Sequence, residues 1–182
     1  MPVEPRGRPL EPRDTARMLI EPTPAGLLRV MRAENVTAEA PRVLWESPAE
    51  PGKLFDIRKI SGDVWLYRTP MHIREAHGTI AMRDSLLTFN APSVQFPHTE
   101  LAAVGQVIIA DTLNYNVELS SGNLDFRDFG WLYPDLPESG GGRLAFRIQT
   151  QPDGGTLWLV ENARLRAPGT NVSGSFGIPS EA

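Results

Sequence analysis

From about Phe55 to Ile178 the chain is a succession of short runs in which every second residue is apolar, and that pattern constrains its fold more than anything else in it. Leu113, Tyr115, Val117 and Leu119 alternate without a break against Asn114, Asn116 and Glu118. Leu144, Phe146 and Ile148 do the same against Ala145, Arg147 and Gln149, and Val172, Gly174, Phe176 and Ile178 form a third clean run. A period of two places one face of a strand against apolar matter and the other in water. One block occurs twice: Gly78-Thr79-Ile80 leading through Leu86-Leu87-Thr88-Phe89 to Ala91-Pro92, and Gly155-Thr156-Leu157 leading through Asn162-Ala163-Arg164-Leu165 to Ala167-Pro168. Such repetition predicts stacked strand–turn units rather than a compact enzyme built around one pocket.

The punctuation agrees. Ser61-Gly62-Asp63, Ser121-Gly122-Asn123, Ser139-Gly140-Gly141-Gly142 and Asp153-Gly154-Gly155 read as hairpin turns. Val64-Trp65-Leu66-Tyr67 and Leu157-Trp158-Leu159-Val160 are apolar on both faces and predict strands covered on both sides. Residues 27–51 read as strands turning at Glu34-Asn35, with a short helix capped by Thr23-Pro24 as the alternative. The only other helical signal is a short turn from Asp128 to Tyr133. About ten strands are expected, and the class is all-β. Residues 1–26 hold six of the 17 prolines and predict an extended or disordered lead-in to a β-domain over 27–182.

Composition narrows the function classes. A formal charge of −4 and the lack of any block of Lys and Arg argue against a nucleic-acid surface. Without cysteine there is no disulfide, thiolate metal site or cysteine nucleophile. No stretch approaches the roughly 18 apolar residues of a membrane span, and the N-terminus lacks the apolar core of a secretory signal.

Catalytic motifs are weak. His72 and His77 differ by an odd number and are expected on opposite faces of a strand, which separates them as metal ligands. Asp128-Phe129-Gly130 matches the kinase magnesium tripeptide without a kinase around it. Gly140-Gly141-Gly142 opens onto a strand, whereas phosphate loops open onto a helix. Asp125, Asp128, Asp135 and Glu118 look like ordinary turn and surface acids. Asn35-Val36-Thr37 and Asn171-Val172-Ser173 fit the glycosylation triplet, which arises often by chance. We therefore expect no catalytic residues, no metal and no cofactor. The aromatic cluster Phe126, Phe129, Trp131 and Tyr133 reads either as a plug at one end of the β-core or as the mouth of an apolar ligand site.

The stretch Asn123-Leu124-Asp125-Phe126 through Tyr133-Pro134-Asp135-Leu136-Pro137, then Gly140-Gly141-Gly142-Arg143-Leu144-Ala145-Phe146, resembles a recurrent unit of bacterial AsmA-like proteins. That superfamily includes the TamB translocation and assembly proteins. Asn162-Ala163-Arg164-Leu165 through Gly174-Ser175-Phe176-Gly177-Ile178 is similar to the last part of the unit, and the resemblance covers roughly residues 53–178. It implies an elongated, curled, antiparallel-rich sheet with an apolar inner groove. It also implies a place in the periplasm of a diderm bacterium with an inner-membrane anchor, and a role in phospholipid transport and outer-membrane biogenesis. The chain is far shorter than a whole member and shows no anchor, so it is expected to be an internal piece or a minimal relative, reaching the membrane through regions outside it.

On that reading Leu87, Phe89, Tyr115, Val117, Leu119, Phe146 and Ile148 are the candidates to face phospholipid acyl chains, and sheet edges are expected to pair with neighbouring repeats. Two alternatives come from other classes. One is a β-sandwich binding carbohydrate through an exposed row of Trp131, Tyr133 and Trp158. The other is a hydrolase with paired carboxylates.

Overall fold

The computed structural model describes residues 20–23, 26–29, 32–46, 52–65, 68–109, 113–151 and 154–180. Most of the proline-rich lead-in, together with Leu66, Tyr67 and Asp153, lies outside them. The strands are β1 (Ile20–Thr23), β2 (Gly26–Arg29), β3 (Arg32–Glu39), β4 (Arg42–Leu44), β5 (Lys53–Trp65), β6 (Met71–Arg83), β7 (Leu86–Gln95), β8 (Glu100–Ile109), β9 (Leu113–Asp125), β10 (Gly141–Thr150), β11 (Thr156–Ala167) and β12 (Thr170–Ser180). No α-helix occurs among the described residues, and a 3-10 turn, Phe126–Phe129, follows β9.

β1 and β2 form a two-stranded sheet of their own that spans the expected boundary at residue 26, and the described residues of 27–51 include the strands β2, β3 and β4, with residues 30–31 and 47–51 outside the description. The other ten strands make one open antiparallel sheet, not closed into a barrel, in the order β12-β11-β10-β9-β8-β7-β6-β5-β3, with β4 also on β5. From β5 onward every strand lies beside its predecessor. Neighbouring antiparallel strands need no crossover, and the shortest links here are two residues, Asp84-Ser85 between β6 and β7 and Pro168-Gly169 between β11 and β12.

Three of the expected turns are not turns. Ser61-Gly62-Asp63 lies inside β5, Ser121-Gly122-Asn123 inside β9, and Glu34-Asn35 inside β3. At each place the pairing register shifts, so the extra residue is absorbed as a bulge and the strand continues. Asn35 takes φ 53° at its bulge, a left-handed conformation that asparagine tolerates. Gly141 and Gly142 are also strand rather than loop, beginning β10 between β9 and β11.

The duplicated block folds in two ways. In the first copy Asp84, at φ 51°, opens the two-residue turn between β6 and β7. In the second, Asn162, at φ 54°, sits at a bulge within the unbroken β11. A polar residue in the left-handed region serves a turn or a bulge equally well, and the strands alongside decide which.

The sheet carries little core. The buried apolar residues are Ala76, Phe96, Phe126 and Ala163, and no large side chain is fully buried among the described residues. The strands expected to be covered on both sides are not: Trp158 is 38% exposed, and Val64, Trp65, Leu157, Leu159 and Val160 are only half-buried. Apart from the two-stranded β1–β2 sheet, the described residues form one layer, so apolar residues on both faces stay open to their surroundings.

Candidate functional site: an open apolar face

Directly paired residues on adjacent antiparallel strands project to the same face, so the register defines which side chains share a surface. Starting from Val43, the pairs run Val43–Phe55–Ile80–Phe89–Gly105–Val117–Ile148–Trp158–Ile178, one residue from each strand from β4 to β12. At ordinary strand spacing this row is roughly 38 Å long. A parallel row runs Ala91–Ala103–Leu119–Phe146–Val160–Phe176, and another runs Met82–Leu87–Val107–Tyr115. All seven candidate residues, Leu87, Phe89, Tyr115, Val117, Leu119, Phe146 and Ile148, fall in these rows and therefore on one face. Each is half-buried.

What the sequence reading missed is how far the surface extends. Ile80, Trp158, Phe176 and Ile178 belong to it and are 38–55% exposed. The period-two run in β12 was the available signal, and the register supplies the rest. Phe146 and Trp158 stack with ring centroids 5.8 Å apart. At the β4 end, Trp45 meets Phe55 edge-on at 6.2 Å and Lys53 Nζ lies 4.6 Å from the centre of its ring.

The centre of the opposite face is polar, with Leu86 and Ile108 exposed toward one end of it. Thr88, Gln106, Asn116 and Gln149 form one row there, and Asn90, Val104, Glu118 and Arg147 another. Arg147 bridges Glu118 at 2.9 Å and approaches Glu161 at 3.9 Å. A cleft of about 320 Å³ opens beside these three residues with Ala102, Val104 and Ala145 in its lining. The two carboxylates near Arg147 share that one cation in a surface ion-pair network.

Two residues of the aromatic cluster pack against the end of the sheet. Phe126 is buried, and Phe129 packs on Phe96 of the β7–β8 turn at 5.7 Å. The backbone of Asp125 donates to Thr99 Oγ1 at 2.8 Å, and that of His98 donates to the buried Asp128 at 2.9 Å. The segment after β9 thus reaches back past β8 and β7, making contacts as far as β6. Asp125 caps the 3-10 turn and accepts two hydrogen bonds from the Arg127 guanidinium, at 3.0 and 2.7 Å. Those bonds hold its carboxyl at about 2, well below the usual carboxylate range. Beyond the plug, Leu132 and Tyr133 are 43% and 52% exposed.

His72 binds Asp63 at 2.7 Å, and Asp63 also accepts from Asn35 at 2.8 Å; both bonds hold the Asp63 carboxyl below its ordinary value. No group of three or more metal-ligating side chains occurs among the described residues, and no helix there is long and apolar enough to cross a membrane. The sandwich alternative lacks its second sheet among the described residues, and Trp158 belongs to the apolar rows of β11, while Trp131 and Tyr133 lie in the loop after the plug. No protein-family model, curated protein or solved structure matches the chain.

Proposed function

We propose that this chain is a non-enzymatic, lipid-handling segment of a cell-envelope protein of the AsmA-like and TamB kind, and that phospholipid acyl chains lie along its apolar face. The observation that carries this reading is the nine-strand row from Val43 to Ile178, an apolar surface with no second layer over it among the described residues. Its length is more than twice the roughly 15 Å of one bilayer leaflet's hydrocarbon. A lipid can therefore lie on it in many equivalent positions.

Each methylene withdrawn from water contributes about 0.8 kcal/mol, so about six of them give a sub-millimolar hold. The attraction is non-directional, and no position along the row is a deep trap. That is what passage of lipid between the inner and outer membranes requires. The polar rows on the other face keep the second surface wetted, and the resemblance over residues 53–178 points to the same periplasmic role.

The test is organic extraction of the purified folded protein followed by lipid mass spectrometry, beside a lipid-free β-domain of similar size. Phospholipid above the control, and its loss in Val117→Lys and Phe146→Lys, is the expected result. A lipid-free protein that also fails to take up phospholipid from vesicles would overturn the reading.

A further inference from the structure

The two edges of the large sheet are built differently. β3, on one edge, reads RAENVTAE, with Arg32, Glu34 and Glu39 among its eight residues and a bulge at Asn35. Charge and bulging are the usual protections of an edge against pairing with another strand. β12, on the other edge, reads TNVSGSFGIPS. Its eleven residues include no charge at all, and Val172, Phe176 and Ile178 are 43–55% exposed. Only its β11 side is paired among the described residues. Main-chain donors and acceptors on the outward side of such a strand call for another strand.

The geometry points to a second copy of this chain as the occupant, paired antiparallel through β12 about a twofold axis at Ser175. The apolar-face positions of β12 are Val172, Gly174, Phe176 and Ile178, paired on the inner side with Leu165, Ala163, Val160 and Trp158. These four positions are centred on Ser175. A twofold axis there sets Val172 opposite Ile178 and Gly174 opposite Phe176 of the other copy, each pair occurring twice. Val with Ile is a favourable cross-strand pair, and an aromatic ring opposite glycine covers the backbone that glycine leaves bare. Shifting the register by two residues in either direction breaks the Val172–Ile178 pair and sets glycine opposite glycine or phenylalanine opposite phenylalanine.

The axis is perpendicular to the sheet, so the apolar faces of both copies lie on the same side and their rows join across the seam. Such a closed twofold contact is the commonest form of self-association. The pairing stands on the composition and register of β12 and does not require that lipid bind.

Sedimentation of the wild type should give twice the chain mass, and Ser173→Lys, on the polar face of the seam, should return it to the mass of one chain. Thr37→Lys on the β3 edge should leave the mass unchanged, with circular dichroism confirming that both variants are folded. The absence of cysteine allows a check of register. Ser175→Cys, on the axis, should form an intermolecular disulfide under mild oxidation. Asn171→Cys should not, because the two copies of that residue are about 27 Å apart along the strands. A wild type of single-chain mass at every concentration would overturn the pairing, including the case in which slow amide exchange along β12 shows a strand of the same polypeptide covering it. So would a dimer that survives Ser173→Lys, or cross-linking at Asn171 as fast as at Ser175.

Discussion

The rings of Phe146 and Trp158 lie 5.8 Å apart with their planes tilted by 40°, on a diagonal between β10 and β11. Among the described residues neither has a second layer above it, so the pair is held by its neighbours within the sheet, and Trp158 remains 38% exposed. This places an intrinsic fluorophore on the surface proposed to take lipid. Phospholipid with brominated acyl chains should quench the protein's fluorescence, and Trp158→Phe should remove more of that quenching than Trp131→Phe. Equal losses in the two variants would detach the lipid from the apolar rows.

Phe126 and Phe146 are the same residue type in opposite circumstances. Phe126 is buried within the 3-10 turn, while Phe146 is half-buried on the open face. Truncating a core phenylalanine costs about 3–5 kcal/mol, and roughly a third of that is expected where half the ring is already wet and no cavity can form. Chemical denaturation should therefore show Phe126→Ala losing about 3 kcal/mol or more and Phe146→Ala about 1–2 kcal/mol. Equal losses would mean that something covers the open face.

The alternation in β9 and β10 made the face legible in the sequence, because side-chain direction in a strand depends only on parity. Parity also carried Leu87 and Phe89 onto the surface shared with Tyr115 and Val117, although which strands were neighbours had to come from the register. Places where parity breaks were not legible. Ser61-Gly62-Asp63 and Ser121-Gly122-Asn123 have the residues of a turn, and so do Asn35 and Asn162, yet all lie at bulges. Whether a left-handed residue reverses the chain or merely kinks it depends on what the strands on either side pair with, tens of residues away. A glycine at Gly62 fits because its missing Cβ would lie 3.2 Å from the Glu34 carbonyl oxygen, a contact that no local pattern reveals.

Gly142 shows the same effect at greater cost. A Cβ there would lie 2.0 Å from the Arg164 carbonyl oxygen, and φ is 147°. The obstruction is backbone of the adjacent strand and cannot swing aside. Gly142→Ala should lower stability by about 3 kcal/mol or prevent folding, since strain at such a position alone costs about 1–3 kcal/mol. Gly122, within β9, has nothing within 4 Å of its Cβ position, and Gly122→Ala should be neutral or slightly stabilising. Thermal unfolding of the two variants separates a glycine required by close approach from one that is only permitted.

Asp125 gives the plug a pH dependence of defined sign. Hydrogen bonds from Arg127 keep its carboxyl at about 2 in the folded chain, against 3.8 in the absence of the fold. A carboxyl whose value is lowered by folding stabilises the fold fully above the unfolded value, and that contribution disappears as pH falls from about 4 towards 2. Arg127 is 53% exposed, so solvent screening reduces the contribution to about 1 kcal/mol. Asp63 is lowered as well, by hydrogen bonds from Asn35 and His72, and titrates in the same direction, so the measurement must be a difference. Stability should fall less steeply between pH 4 and 2 in Asp125→Asn than in the wild type, with the two curves converging at the acid end. Arg127→Gln should flatten the curve by the same route, because an Asp125 without its guanidinium returns towards its ordinary value. Curves that stay parallel throughout that window would show that the Asp125–Arg127 pair contributes nothing to holding the turn over the end of the sheet.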